Sequence, residues 1–235
     1  MNMAKMRLDK FLSESSSYSR KEIRILAKTN RIIADGKCVK SPDEKVDENS
    51  VITVKGVLIP YRKYVYLMLN KPQGYLSATE DDHDPVVTEL VPEELQHYKV
   101  FPVGRLDKDT EGLLLLTNDG QFDHALMSPR KEVKKRYFAI LDTPAEKEDM
   151  EKFASGMDLG DFSAKSAVLE ITEDPRKVFI EISEGKFHQV KRMCEKVGKN
   201  VLFLKRVAIG KLFLDETLPP GKCRELTKEE MLLLQ

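Results

Sequence analysis

Val100-Phe101-Pro102-Val103-Gly104-Arg105-Leu106-Asp107-Lys108-Asp109-Thr110-Glu111-Gly112-Leu113-Leu114-Leu115-Leu116 is the stretch that decides how this chain is read. Two apolar runs, 100–103 and 113–116, flank a loop that opens at Gly104 and closes at Gly112. Short apolar runs bounded by glycine fit buried strands. A carboxylate fixed in such a loop, Asp107 above all, stands at the edge of a core, where a reacting group gains most from being preorganised. The plainer alternative is that Asp107 caps a turn or a short helix. Hydrolysis by Asp107 paired with Asp109 is a third reading, although loop residues so close in sequence need not face one substrate.

Outward from this loop the pattern is one of many strands and few helices. Strand signals fall at 64–69, 100–103, 113–116, 136–141, 167–171, 178–182 and 201–204, and that spacing predicts an α+β domain on a largely antiparallel sheet. Val190, Met193, Cys194 and Val197 form the apolar stripe of a helix ending at Gly198, which sets Lys191 and Arg192 off the core. Lys71-Pro72 and Pro219-Pro220-Gly221 read as turns. Towards the N-terminus, Leu8, Phe11 and Leu12 fall at helical spacing. A second helix starts at Ser19, with Glu22 closing a capping box, and buries Ile23, Leu26 and Ala27. Asp35-Gly36 suits a hairpin turn between 31–34 and 37–39, a strand at 50–54 completes the unit, and Gly56 to Arg62 reads as a linker.

With 235 residues, 41% of them hydrophobic, the chain can bury a proper core. No apolar run approaches the length of a membrane span, and the charged N-terminus is unlike a signal peptide, so the cytoplasm is the expected compartment and no membrane partner is expected. Cys38, Cys194 and Cys223 lie far apart and read as reduced thiols; neither they nor His83, His97, His124 and His188 show metal-ligand or triad spacing, so no metal is expected. The net charge is zero, yet within residues 1–31 eight basic side chains face three acidic ones. Such asymmetry hints at a nucleic-acid partner, although charge runs are usually solvated faces.

The string Arg7-Leu8-Asp9-Lys10-Phe11-Leu12, followed by residues 19–39, resembles the S4 RNA-binding domain. The resemblance implies that Arg7, Lys10, Arg20, Lys21, Arg24 and Lys28 meet RNA phosphates, contacts that are salt-sensitive and blind to sequence. Thr29-Asn30 stands where many members carry glycine; asparagine tolerates the left-handed conformation of such a helix end. Gly104-Arg105-Leu106-Asp107, with Thr110, Gly112, the leucine run and Thr117-Asn118-Asp119-Gly120, resembles the signature loop of pseudouridine synthases.

Together the two resemblances imply an S4 domain over 1–56, a linker over 57–62 and a catalytic domain over 63–235 with a mainly antiparallel mixed sheet; the second carries the site. It gives Asp107 the catalytic role, makes Arg105 the wedge that fills the space of the everted base, and makes Tyr137 of Lys135-Arg136-Tyr137 the ring against that base. From Lys186-Phe187-His188-Gln189-Val190-Lys191-Arg192-Met193 it implies that Lys191 pairs with Asp107, with Arg192 a rival, and it places Thr110, Gln189 and Arg192 with Arg105 among the substrate contacts. The reaction it implies moves C1′ of a uridine from N1 to C5, with no atom added and no redox change, so no cofactor is expected.

An S4 domain joined to this loop, with the segment from His124 to Arg130, resembles the branch acting on the small ribosomal subunit. The implied partner is 16S rRNA, naked or in a partly assembled subunit, met by a monomer. A large-subunit (23S) rRNA target and a non-catalytic ribosome assembly factor are the alternatives.

Overall fold

Leu8, Phe11 and Leu12 are all fully buried, and the computed structural model, which describes residues 5–128 and 130–234, closes a helix on them, α1 (Leu8–Ser15). The next helix, α2 (Arg20–Lys28), starts at the expected box: Glu22 N donates to Ser19 Oγ at 3.3 Å and Ser19 N donates to Glu22 Oε2 at 2.8 Å. Ile23, Leu26 and Ala27 face α1, while Arg20, Lys21, Arg24 and Lys28 are exposed. The chain leaves α2 through Asn30, whose φ of 55° is the left-handed value anticipated for it. Strands β2 (Ile32–Ala34) and β3 (Lys37–Cys38) then pair across Asp35 (φ 49°) and Gly36 (φ 78°), the positive pair a tight hairpin turn requires.

In this N-terminal unit the described residues hold three short strands that the sequence pattern does not announce, β1 (Met6–Arg7), β4 (Lys45–Val46) and β6 (Val57–Ile59). β1 pairs with β4, and β5 (Ile52–Val54) pairs on one side with β2 and on the other with β6. The last of these corrects the expected linker over 57–62: Lys55 and Gly56, at φ 52° and 84°, make a second hairpin turn, so the chain doubles back into the sheet. The residues after β6 are also held, since Tyr61 Oη donates to Glu14 Oε2 at 2.8 Å and Arg62 N donates to Ser15 Oγ at 2.9 Å. The described residues up to 65 group into one compact unit together with 92–99, which contain the short helix α3 (Glu93–Gln96).

The second unit comprises the described residues of 66–91 and from 100 onward. Its strands are β7 (Tyr66–Lys71), β8 (Phe101–Val103), β9 (Glu111–Thr117), β10 (Lys135–Leu141), β11 (Met157–Asp158), β12 (Ser163–Ala164), β13 (Val168–Ile171), β14 (Lys177–Ile182), β15 (Val201–Ile209), β16 (Leu212–Phe213) and β17 (Cys223–Glu225). Its helices are α4 (Gly120–Met127), α5 (Lys147–Ser155), α6 (Gln189–Lys196) and α7 (Lys228–Leu232). Among the described residues nine strands form one sheet, in the order β13-β14-β10-β15-β9-β7-β17 with β8 and β16 on side branches. All pairings described in it are antiparallel except β9 with β15.

The four leucines of β9, Leu113 to Leu116, are buried, which is why that strand reads as an unbroken apolar run. β10 instead alternates, with Lys135, Tyr137, Ala139 and Leu141 turned inward. Pro129, in the segment that points to the small-subunit branch, lies outside the described residues. Among the described residues, no helix is long and apolar enough to cross a membrane.

Candidate active site

The loop that precedes β9 is fixed from several sides. Gly104 and Gly112 take φ of 68° and 101°, values that favour glycine. At Gly112 an added Cβ would stand 2.2 Å from the Arg206 carbonyl oxygen, so the close approach of β9 and β15 admits no side chain there. Ser77 Oγ donates to Leu106 O at 2.8 Å and accepts from Leu106 N at 3.0 Å.

Beneath the loop lies the fully buried Lys71, the last residue of β7. Its ammonium donates to the carbonyls of Pro72 (3.0 Å), Asp107 (3.1 Å), Lys108 (3.2 Å) and Thr110 (2.9 Å). Burial pulls its pKa down from 10.5 to about 8, against the opposing pull of Asp109, Asp107 and Glu111. Sequence reasoning passed over Lys71 as part of a Lys-Pro turn; its place at the end of a strand of buried residues was the signal available.

The carboxylate of Asp107 is half-buried and stands between two side chains that α6 and its preceding loop deliver. Lys191 Nζ lies 3.3 Å from Asp107 Oδ2 and 2.5 Å from Asp109 Oδ1, and His188 Nε2 lies 3.6 Å from Asp107 Oδ1. Burial works to raise the Asp109 carboxyl, but the hydrogen bond and charge of Lys191 outweigh it and hold that group below its ordinary value. Lys191 is thus shared by two acids, with its stem packed along the pocket.

The pocket above Asp107 has Tyr137 as a buried wall, with Ile182, Val190 and Leu204 around it and the exposed Arg105 among its lining residues. Thr110 also lines it, with a buried hydroxyl that has no hydrogen-bond partner among the described residues. Asp107, Lys191, Tyr137, Arg105 and Thr110 are therefore brought together.

Other anticipated residues are not. Arg192 turns away, its guanidinium donating to Leu159 O at 2.8 Å and pairing with Asp161, because neighbouring positions on a helix point about 100° apart. Gln189 lines the pocket but spends its amide on the loop, accepting from Lys186 N at 3.0 Å and donating to Glu184 Oε1 at 3.0 Å. In the first unit Arg7 is drawn onto Asp9 (2.8 Å) and Asp43, while the α2 cations stay open. Cys194 is buried, and burial pushes its thiol up to about 12, too high for a nucleophile at neutral pH. Among the described residues no group of three or more His, Cys, Asp and Glu is placed to hold a metal ion.

The architecture matches known proteins along nearly its whole length. Residues 65–196 match the RNA pseudouridylate synthase family model and residues 6–52 match the S4 domain. The chain is 46% identical to an uncharacterized RNA pseudouridine synthase of Bacillus subtilis (strain 168), over 97% of this chain and 98% of the relative. It is 40% identical to the ribosomal small subunit pseudouridine synthase A of Escherichia coli (strain K12), over 96% and 98%. A crystal structure of a pseudouridylate synthase covers 98% of this chain and all of its own, at a TM-score of 0.69 and 36% identity. With Asp107 seated against a lysine in a pocket walled by a tyrosine, and with these matches, the chain belongs to the RNA pseudouridylate synthase family and carries an S4 domain.

Proposed function

We propose that this chain isomerises a uridine of small-subunit (16S) rRNA to pseudouridine, acting as a cytoplasmic monomer, with Asp107 as the reacting carboxylate. The observation that carries the proposal is the Asp107–Lys191 contact at 3.3 Å on a loop whose carbonyls are held by Lys71. The Lys191 ammonium stands against this carboxylate, and a carboxylate in that place serves both available routes, attack at C1′ of the ribose and removal of the hydrogen at C2′.

The base must leave its stack before its glycosidic bond can be reached. Tyr137 supplies the wall for the everted base, Thr110 an unused hydrogen-bonding group beside it, and Arg105 a side chain long enough to enter the gap left in the RNA. The exposed cations Lys10, Arg20, Lys21, Arg24 and Lys28 add phosphate affinity. The small-subunit target follows from the similarity to the Escherichia coli enzyme.

The test is to incubate the chain with 16S rRNA, naked and as partly assembled subunit, and to map pseudouridine by carbodiimide-blocked primer extension. A new stop is expected with the native chain, and Asp107→Asn is expected to slow its appearance by about a thousandfold or more. Stops confined to 23S rRNA would move the target to the large subunit, and no stop in either RNA would leave an assembly factor.

A further inference from the structure

Phe187 is a large apolar ring that no core requires. It is 73% exposed, the most exposed of the large hydrophobic side chains among the described residues. Its ring is nevertheless held in one orientation: it lies on the imidazole of His188 with centroids 3.8 Å apart and planes at 17°. The loop beneath is braced, since Gln189 binds Lys186 N and Glu184 Oε1, and Glu184 Oε1 also accepts from Lys165 N at 2.7 Å. His188 itself sits at φ 50°, a left-handed conformation that side chains other than glycine adopt at a cost. The stack is continuous with the catalytic site, because His188 lines the pocket above Asp107 and also an adjoining recess with Gln73, Gly74 and Lys108. Lys186, one residue before the ring, is exposed.

We infer that the stacked Phe187–His188 pair is a platform for the unpaired nucleobase next to the everted uridine. The inference rests on the reading of the Asp107 pocket as the place of that uridine. When a nucleotide is everted, its neighbour loses a stacking partner, and the free face of Phe187 offers a flat apolar replacement at the pocket's mouth. The exposed Lys186 puts positive charge at that mouth, which suits a base attached to a phosphodiester better than an apolar peptide side chain; Lys108, on the recess side, is already paired with Asp84 at 2.6 Å. Phe187 thereby selects targets whose flanking base is free to stack, a selection Asp107 and Lys191 cannot make.

The chain has no tryptophan, so Phe187→Trp introduces a single indole at this position. It is titrated with a nonauridylate and with versions abasic on one side or the other of the central uridine. Indole fluorescence is expected to be quenched by the intact oligomer, and one of the two abasic versions is expected to abolish the quenching. With 16S rRNA, Phe187→Ala is expected to raise KM by about 5- to 100-fold with kcat little changed, the size of one base–aromatic stack, and Phe187→Trp to restore it.

Quenching indifferent to both abasic versions, or an unchanged KM for Phe187→Ala, overturns the platform and leaves the Asp107 reading intact. Absence of pseudouridine with the native chain overturns that reading, while the oligomer titration still judges the platform. Since Phe187 is exposed, both variants are expected to keep the native circular dichroism spectrum and melting temperature.

Discussion

Lys71 keeps its charge where water does not reach, and four backbone carbonyls replace its hydration. Its folded pKa of about 8 lies below the 10.5 of the unfolded chain. Between those values the unfolded chain holds the extra proton, so stability from this group rises with pH across that window, by on the order of 3 kcal/mol in full. Lys71→Met removes the titration along with the donor. It is expected to cost about 3 kcal/mol near neutral pH, and urea denaturation of both proteins should show the gap widening between about pH 8 and about pH 10; a constant gap would remove Lys71 as the titrating group.

At the same scale Lys191 and Arg192 separate cleanly. Lys191→Ala is expected to lower kcat by about a hundredfold or more, whereas Arg192→Ala, which loses its pairing with Asp161, its hydrogen bond to Leu159 O and its place over the Phe162 ring, should leave kcat near native and cost on the order of 1 kcal/mol. Single-turnover rates and melting curves decide between them. That Asp107, Tyr137 and Lys191 share one pocket was legible in the sequence because they lie in extended motifs. Lys71 was not, since nothing in a Lys-Pro pair announces that its ammonium will collect carbonyls from a loop 36 residues and more further on. Arg192 was misplaced because both it and Lys191 lie off the apolar stripe, and helix phase alone leaves their final directions open.

Among the elements, the boundary between β9 and β15 is the most constrained. Gly112→Ala places a methyl group on the Arg206 backbone at a positive φ, and the expected loss is about 3 kcal/mol or more, read from the urea midpoint of the catalytic unit. A midpoint equal to native would show that the two strands can part without penalty. The strands at 66–71, 111–117, 135–141 and 177–182 were legible from apolar runs or period-two alternation, and α2 from its capping box and stripe. β1, β4 and β6 were not: the first two have only two residues each, and the third follows a Lys-Gly turn instead of the more telling Asn-Gly or Asp-Gly. Sheet order was beyond reach as well, because β7 finds partners as distant as β17 and no local pattern encodes that pairing.

Taken as a whole molecule, the protein is electrically neutral yet unevenly charged, with four open cations gathered on α2. Replacing Arg20, Lys21, Arg24 and Lys28 with alanine is expected to weaken 16S rRNA binding and to lower the slope of log affinity against log salt by about 0.7 to 0.9 for each phosphate that is no longer neutralised. Filter binding across a salt series measures this, and an unchanged slope would move the RNA grip elsewhere. The pairing of β9 with β15 also fixes when the enzyme comes into being. The acid at position 107 is made before its cationic partner at residue 191 and before the strand beside its loop at 201–209. A polypeptide stopped short of residue 191 therefore carries the acid without the lysine that meets it, and the site forms only once that later segment has been made.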